Sequence, residues 1–318
     1  MAQYQDIIIN GKVKKGQRDC APRWKVIRNL LKERYNRPIS VLDIGANFGY
    51  FSFRLQEEFP DSVVTMIESK HANRLIKLCN ETNAENTIVL DTLINSKELH
   101  TLADCEHFDV VLGLNVLHHI GDIENSFSAV ERLGDTIIIE TPNPADKGAC
   151  GQKNLQDLYT KVINEYSIKG KFSRHTSNVN SPLGVKDIKK TSLEKRYWDS
   201  KPYTNKIIIE STSTNKTFTH SVKGERRDWI HGINLRTYQY LNGQYPTRET
   251  LANNIINSNL HNHEDLNPWN LILTGKTVSP IDAKDSRHRK PTNNKTQLEK
   301  IKQDLTSAGV NTIKFYKK

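Results

Sequence analysis

The chain has 318 residues, enough for one large domain or two modest ones, and its 36% hydrophobic content with a mean hydropathy of −0.64 points to generous loop or extension surface. No apolar run approaches the roughly 18 residues of a membrane span, and Ile7–Ile9 is too short for a signal-peptide core, so a cytoplasmic protein is expected. Net charge is +10 and uneven: residues 1–144 carry 16 Lys+Arg against 20 Asp+Glu, residues 145–318 carry 30 against 16.

The basic surplus therefore belongs to the second half, where it suits a polyanionic partner such as nucleic acid or a phosphorylated glycan, or simply a solvated lysine-rich surface. Cys20, Cys79, Cys105 and Cys150 form no C-x-x-C pair, which predicts reduced, structural thiols rather than a zinc site or disulfide framework.

In chain order, "PRWKVIRNLLKERY" has helical spacing, and five strand-like runs follow: "SVLDIG", "VVTMIES", "NTIVLDTLI", "FDVVLGLNV" and "TIIIETP". Between them "FSFRLQEEF", "HANRLIKLCNE" and "IENSFSAVERLG" read as helices. This alternation predicts an α/β fold with a doubly wound, Rossmann-like parallel sheet. The pattern changes after Asn143. "NLQDLYTKVINEY" is predicted helical, residues 170–192 a polar, mobile loop, and "NKIIIESTSTNKTFTHSV" two strands about a polar turn. Residues 226–246 and 247–259 read as two helices, and "QLEKIKQDLTSAG" as a final one. The expected division is residues 1–210 as the α/β domain and 211–318 as a smaller basic C-terminal extension.

Two constellations carry chemistry. In the first, "VLDIGANFGYFSF" places Asp43, Gly45, Asn47 and Gly49 between a strand and a helix. Glycines there let the backbone pass close to a ligand, and the helix N-terminus offers unpaired N–H groups. Dinucleotide sites use the same turn, but Asp43 before the glycines suits an ammonium group rather than a G-x-G-x-x-G fingerprint. Glu68 ends the second strand, where a carboxylate accepts from ribose hydroxyls. Asp91 and Thr92 end the third, at the expected place of an adenine ring.

These residues resemble the glycine motif of class I S-adenosylmethionine-dependent methyltransferases, over roughly residues 20 to 210, with Asn47 where a middle glycine is common. "FDVVLGLNVLHHI", with Asn115, resembles that family's fourth-strand motif leading into the acceptor pocket. The resemblance implies S-adenosylmethionine as cofactor, with Asp43 at its methionine end, Glu68 at the ribose and Asp91 at the adenine. For a hydroxyl acceptor, His119 and then His118 are the candidate bases, with Glu140 a further one. An N/D-P-P-Y motif for amino methylation is absent, as is a Lys-Asp-Lys-Glu set for ribose 2′-O-methylation.

The second constellation is "HEDLNPWNLIL", which fits H-x-D-L-x-x-x-N with His263, Asp265 and Asn270; Asp282 follows in "SPIDAKDS". It resembles the catalytic and metal-binding segments of kinases and small-molecule phosphotransferases. No glycine-rich nucleotide loop precedes it, Lys223 is the nearest stand-in for the strand lysine, and Ala283 and Lys284 replace the usual Phe-Gly. The whole chain looks like a shortened relative of the bifunctional methyltransferase–kinases that cap bacterial polysaccharides. The resemblance implies O-methylation of a glycan or phosphorylated glycoconjugate, with the kinase-like loop a relic or accessory. RNA methylation, a bifunctional enzyme and a non-catalytic donor-binding module are the competing expectations.

Overall fold

The structure is a computed structural model. It describes residues 4–9, 11–82, 84–146, 155–174 and 177–188 of the first half, and shorter stretches between 203 and 315. Candidate residues His263, Asp265, Asn270 and Asp282, and the helix expected over 297–309, lie outside the described residues.

An N-terminal hairpin opens the chain, β1 (Ile7–Ile9) antiparallel to β2 (Lys12–Lys14). Helix α1 (Ala21–Arg34) follows, with proline in its first turn and Ile27, Leu30 and Leu31 on its buried face at helical spacing. The α/β succession is then β3 (Ser40–Ile44), α2 (Tyr50–Glu58), β4 (Val63–Glu68), α3 (Ala72–Glu81), β5 (Thr87–Asp91), α4 (Ser96–Cys105), β6 (Phe108–Leu114), α5 (Ile123–Arg132) and β7 (Gly134–Glu140). Every residue of β3 and β6 is buried, as the interior strands of a sheet covered on both faces require. Side chains alternate between faces. Leu42, Ile44, Val111 and Ile137 pack with α4 and α5, while Val41, Val64, Met66 and Val110 pack with α1, α2 and α3.

After β7 come α6 (Leu155–Glu165), β8 (Ser167–Arg174) and β9 (Ser177–Asp187). The seven-stranded sheet has the order β5-β4-β3-β6-β7-β9-β8, parallel except for β9, which pairs antiparallel with β7 and β8. The hairpin of β8 and β9 replaces the loop expected over 170–192. Leu183 and Val185 are buried on alternate positions of β9, and Gly184 lies so close under Tyr166, the residue after α6, that an added Cβ would come within 2.7 Å of it. Only those few positions carry the apolar signal, and the polar residues around them hide it.

β10 (Tyr203–Ser211) and β11 (Lys216–Gly224) form the expected hairpin. β12 (Ile233–Asn234), β13 (Ile255–Ile256), β14 (Leu271–Leu273), β15 (Thr277–Pro280) and β16 (Lys314–Phe315) form a second sheet, ordered β12-β14-β15-β13-β16. Of the helix expected over 226–246, α7 (Leu235–Asn242) is helical. The helix expected over 247–259 is corrected at Ile255–Ile256, which pair as a strand; a β-branched pair among asparagines favours that outcome. Leu235, Tyr238, Leu241 and Leu273 join the core layer beneath α4. The buried Glu106 carboxylate fixes them there, accepting from the Asn234 amide at 2.9 Å and the Thr237 hydroxyl at 2.6 Å.

Candidate functional site

From β3 the chain winds outward to β4 and β5, then returns to place β6 on the other side of β3. Successive connections therefore part company between the carboxyl ends of β3 and β6, the switch point where open α/β sheets bind ligands. A cleft of about 680 Å³ opens there, lined by residues that include Gly45, Asn47, Glu68, Thr92, Asn115, His118 and His119.

The turn after β3 is shaped for close approach. Gly45 has φ +71°, and a Cβ on it would sit 2.5 Å from a methyl of Val116, so the two loops meet only because that position is glycine. The Gly45 and Ala46 amides donate to the Ile67 carbonyl, tying the turn to β4. Gly49, at φ +74°, caps α2 and packs against Leu75 and Phe53 rather than lining the cleft. Glu68 fastens both sides: one carboxylate oxygen accepts from the Asn47 amide at 2.9 Å, the other from the His71 amide at 3.0 Å. Each oxygen keeps a second lone pair for a ligand hydroxyl.

Asn47 and Asn115 share an unusual state. Both hold left-handed backbones, at φ 56° and 57°, and both have a buried side-chain oxygen with no hydrogen-bond partner among the described residues. A buried acceptor left unsatisfied costs about 1–3 kcal/mol, and both residues line the one cleft, where a donating ligand group would relieve that cost. An ammonium or amino group fits that requirement.

Asp43 is buried under the turn, 3% exposed, and does not line the cleft. Burial raises its carboxyl to about 6, against the hydrogen bond donated by Ser52 at 2.6 Å, with the Glu68 carboxylate adding a smaller upward push. Asp91 is exposed beside Thr92 at the cleft rim. Its neighbour Leu93 is 80% exposed and lines the cleft, offering an apolar face where an aromatic ring would rest.

His118 and His119 form one turn of 3-10 helix after β6, their rings 3.9 Å apart. Partial burial lowers the His119 imidazole below its usual value, so it is neutral near pH 7 and able to take a proton. Glu140 is elsewhere. It is buried at the end of β7, ion-paired to Arg18 and held by Arg23 through Nε at 3.1 and 2.9 Å, which removes it as a base for the cleft.

Tyr4, Gln5, Lys70 and His71 also line the cleft, and sequence reasoning misses all four. Lys70 and His71 follow Glu68 directly and were within reach of the strand-end argument. Tyr4 and Gln5 carry no local signal, because only long-range contacts bring them there.

Residues 42–134 match a family described as a methyltransferase domain. The chain is 23% identical over 237 residues to the O-antigen chain terminator bifunctional methyltransferase/kinase WbdD of Escherichia coli, covering 68% of this chain and 33% of that protein. It is 26% identical over 155 residues to the tRNA U34 carboxymethyltransferase of Sulfurimonas denitrificans, covering 47% and 50%. The chain thus spans a third to a half of the length of these relatives. A crystal structure of WbdD superposes with a TM-score of 0.47 at 16% identity, over 84% of this chain and 76% of that one. The family match over residues 42–134, with the switch-point cleft and its glycine turn, supports a methyltransferase domain in that stretch with S-adenosylmethionine as its methyl donor.

Proposed function

We propose that the protein methylates a hydroxyl or phosphate oxygen of a glycan or phosphorylated glycoconjugate. S-adenosylmethionine supplies an electrophilic methyl on a positively charged sulfur. Glu68 would accept from the ribose hydroxyls, the orphaned oxygens of Asn47 and Asn115 would accept from the methionine amino group, and Leu93 with Thr92 would border the adenine. Asp43 acts from beneath, adding negative potential under a cationic ligand. At the mouth, with a hydroxyl acceptor, His119 would receive the proton as the O–CH3 bond forms and the S–CH3 bond breaks, the neutral thioether S-adenosylhomocysteine being the leaving group, with the His118 ring beside it; a phosphate oxygen is already deprotonated and needs no base. Much of the acceleration comes from holding acceptor and donor in line, which demands little of the side chains beyond that proton transfer.

The observation that carries this reading is the convergence of those residues on one cleft at the switch point. The glycan acceptor draws on the likeness to the O-antigen terminator. RNA is the second reading, favoured by the likeness to the tRNA carboxymethyltransferase and by the 30 basic against 16 acidic residues of 145–318. Methyl-labelled donor incubated with saccharide and RNA fractions separates the two: label in saccharide, lost in His119→Ala, is expected. Label confined to RNA would reverse the order.

A further inference from the structure

The N-terminal segment is held down at a cost that packing alone does not explain. Arg18 and Arg23 are both buried, and one carboxylate, Glu140, serves them both. Taking three charges out of water for two ion pairs is a poor source of stability, so the arrangement points to positioning. Asp6 secures the loop between, accepting from the Gly16 amide at 2.9 Å and from the Cys20 amide at 3.4 Å. Arg23 adds bonds to the Asp19 and Ser173 carbonyls.

What this network positions is Tyr4. The Arg18 amide donates to the Tyr4 carbonyl at 2.9 Å, its guanidinium donates to the phenol oxygen at 3.2 Å, and the same guanidinium lies 5.7 Å from the ring centroid. Gln5 bridges to Arg18 as an isolated strand pair. Both residues line the cleft. Through Arg18 they are tied to Glu140 at the end of β7, whose carbonyl accepts from the Asn115 amide at 2.7 Å. The ribose and adenine residues Glu68 and Thr92 belong to β4 and β5, on the other side of β3.

We propose that Tyr4 is a donor-binding residue at the sulfonium end of the cleft, and that Arg18 and Glu140 are the positioning residues that hold its ring there. The proposal rests on the donor reading of the cleft given above. A tyrosine ring attracts a cation through its π face, and Arg18, paired with Glu140, holds the phenol through its hydrogen bond.

Two ligands distinguish this role from a structural one, because S-adenosylmethionine carries the sulfonium charge and S-adenosylhomocysteine does not. Tyr4→Ala is expected to weaken S-adenosylmethionine about tenfold and S-adenosylhomocysteine by less, the difference being the lost cation contact. Tyr4→Phe keeps the ring and is expected to retain most of the affinity for both. Should Arg18→Met fail to fold, the Tyr4 variants decide alone, since they leave the buried charges intact. Hydrogen exchange with S-adenosylhomocysteine supplies the second readout, with residues 4–8 slowed together with residues 45–49. Slowing at 45–49 with none at 4–8, or equal affinities of Tyr4→Ala and the parent for S-adenosylmethionine, would overturn the role of Tyr4 and leave the donor reading standing. No slowing at either place would overturn both.

Discussion

Asp43 shows how one residue can serve the site at the expense of the fold. Its carboxyl is raised to about 6 by burial, so the folded state holds its proton more tightly than the unfolded chain does. That stabilisation is fully present below the ordinary carboxylate value and is lost as pH rises through 6. Asp43→Asn removes the titration while keeping an oxygen for Ser52. Its melting temperature is expected to match the parent near pH 4 and to exceed it above pH 7, where a shift of this size corresponds to about 2–3 kcal/mol. A pH-independent difference in melting temperature would contradict the assignment. The same change is expected to weaken the donor, as happens when a strained site is relaxed. At this scale the sequence was informative about Gly45, Glu68, Thr92, Asn115 and the histidine pair, all placed on the cleft. Glu140 misled, because a strand-end carboxylate looks alike whether it faces a ligand or two buried arginines.

Among the elements, periodicity located β3 to β7 and α1, α2, α3 and α5 within a residue or two, except the end of β5, which stops three residues before the expected run does. Those strands are continuous apolar runs and those helices have one buried face, so local pattern and tertiary role agree. Helix α4 escaped notice despite a readable start: Asn95 and Glu98 form a capping box, the asparagine oxygen accepting from the Glu98 amide at 3.0 Å and the Glu98 carboxylate from the Asn95 amide at 2.9 Å. Asn95→Ala is expected to destabilise the domain by about 1 kcal/mol, measured by urea unfolding, with donor affinity little changed because Asn95 and α4 do not themselves line the cleft. A change in donor affinity would couple α4 to the site. The strand β9 and the hairpin of β1 and β2 were not legible, since β9 is covered by β7 and α6, β1 lies against α2 and α3 far along the chain, and β2 is exposed.

For the whole molecule, the second half does more than append charge. Through Glu106 and the core contacts of α7 and β14 it is packed on the methyltransferase sheet at the β5 edge. Among the described residues no helix is long and apolar enough to cross a membrane. The kinase-like residues Asp265, Asn270 and Asp282 belong to sequence outside those described, and their part in a phosphotransferase-like ancestry stays with the motif itself. Everything proposed for the molecule depends on one property of the cleft, which titration calorimetry measures directly. S-adenosylhomocysteine is expected to bind the full chain with one-to-one stoichiometry, and Glu68→Ala to weaken it by about ten- to a hundredfold, equivalent to about 1.4–3 kcal/mol. Absence of binding by the folded parent chain, or undiminished affinity in Glu68→Ala, would contradict the placement of the methyl donor between β3 and β6.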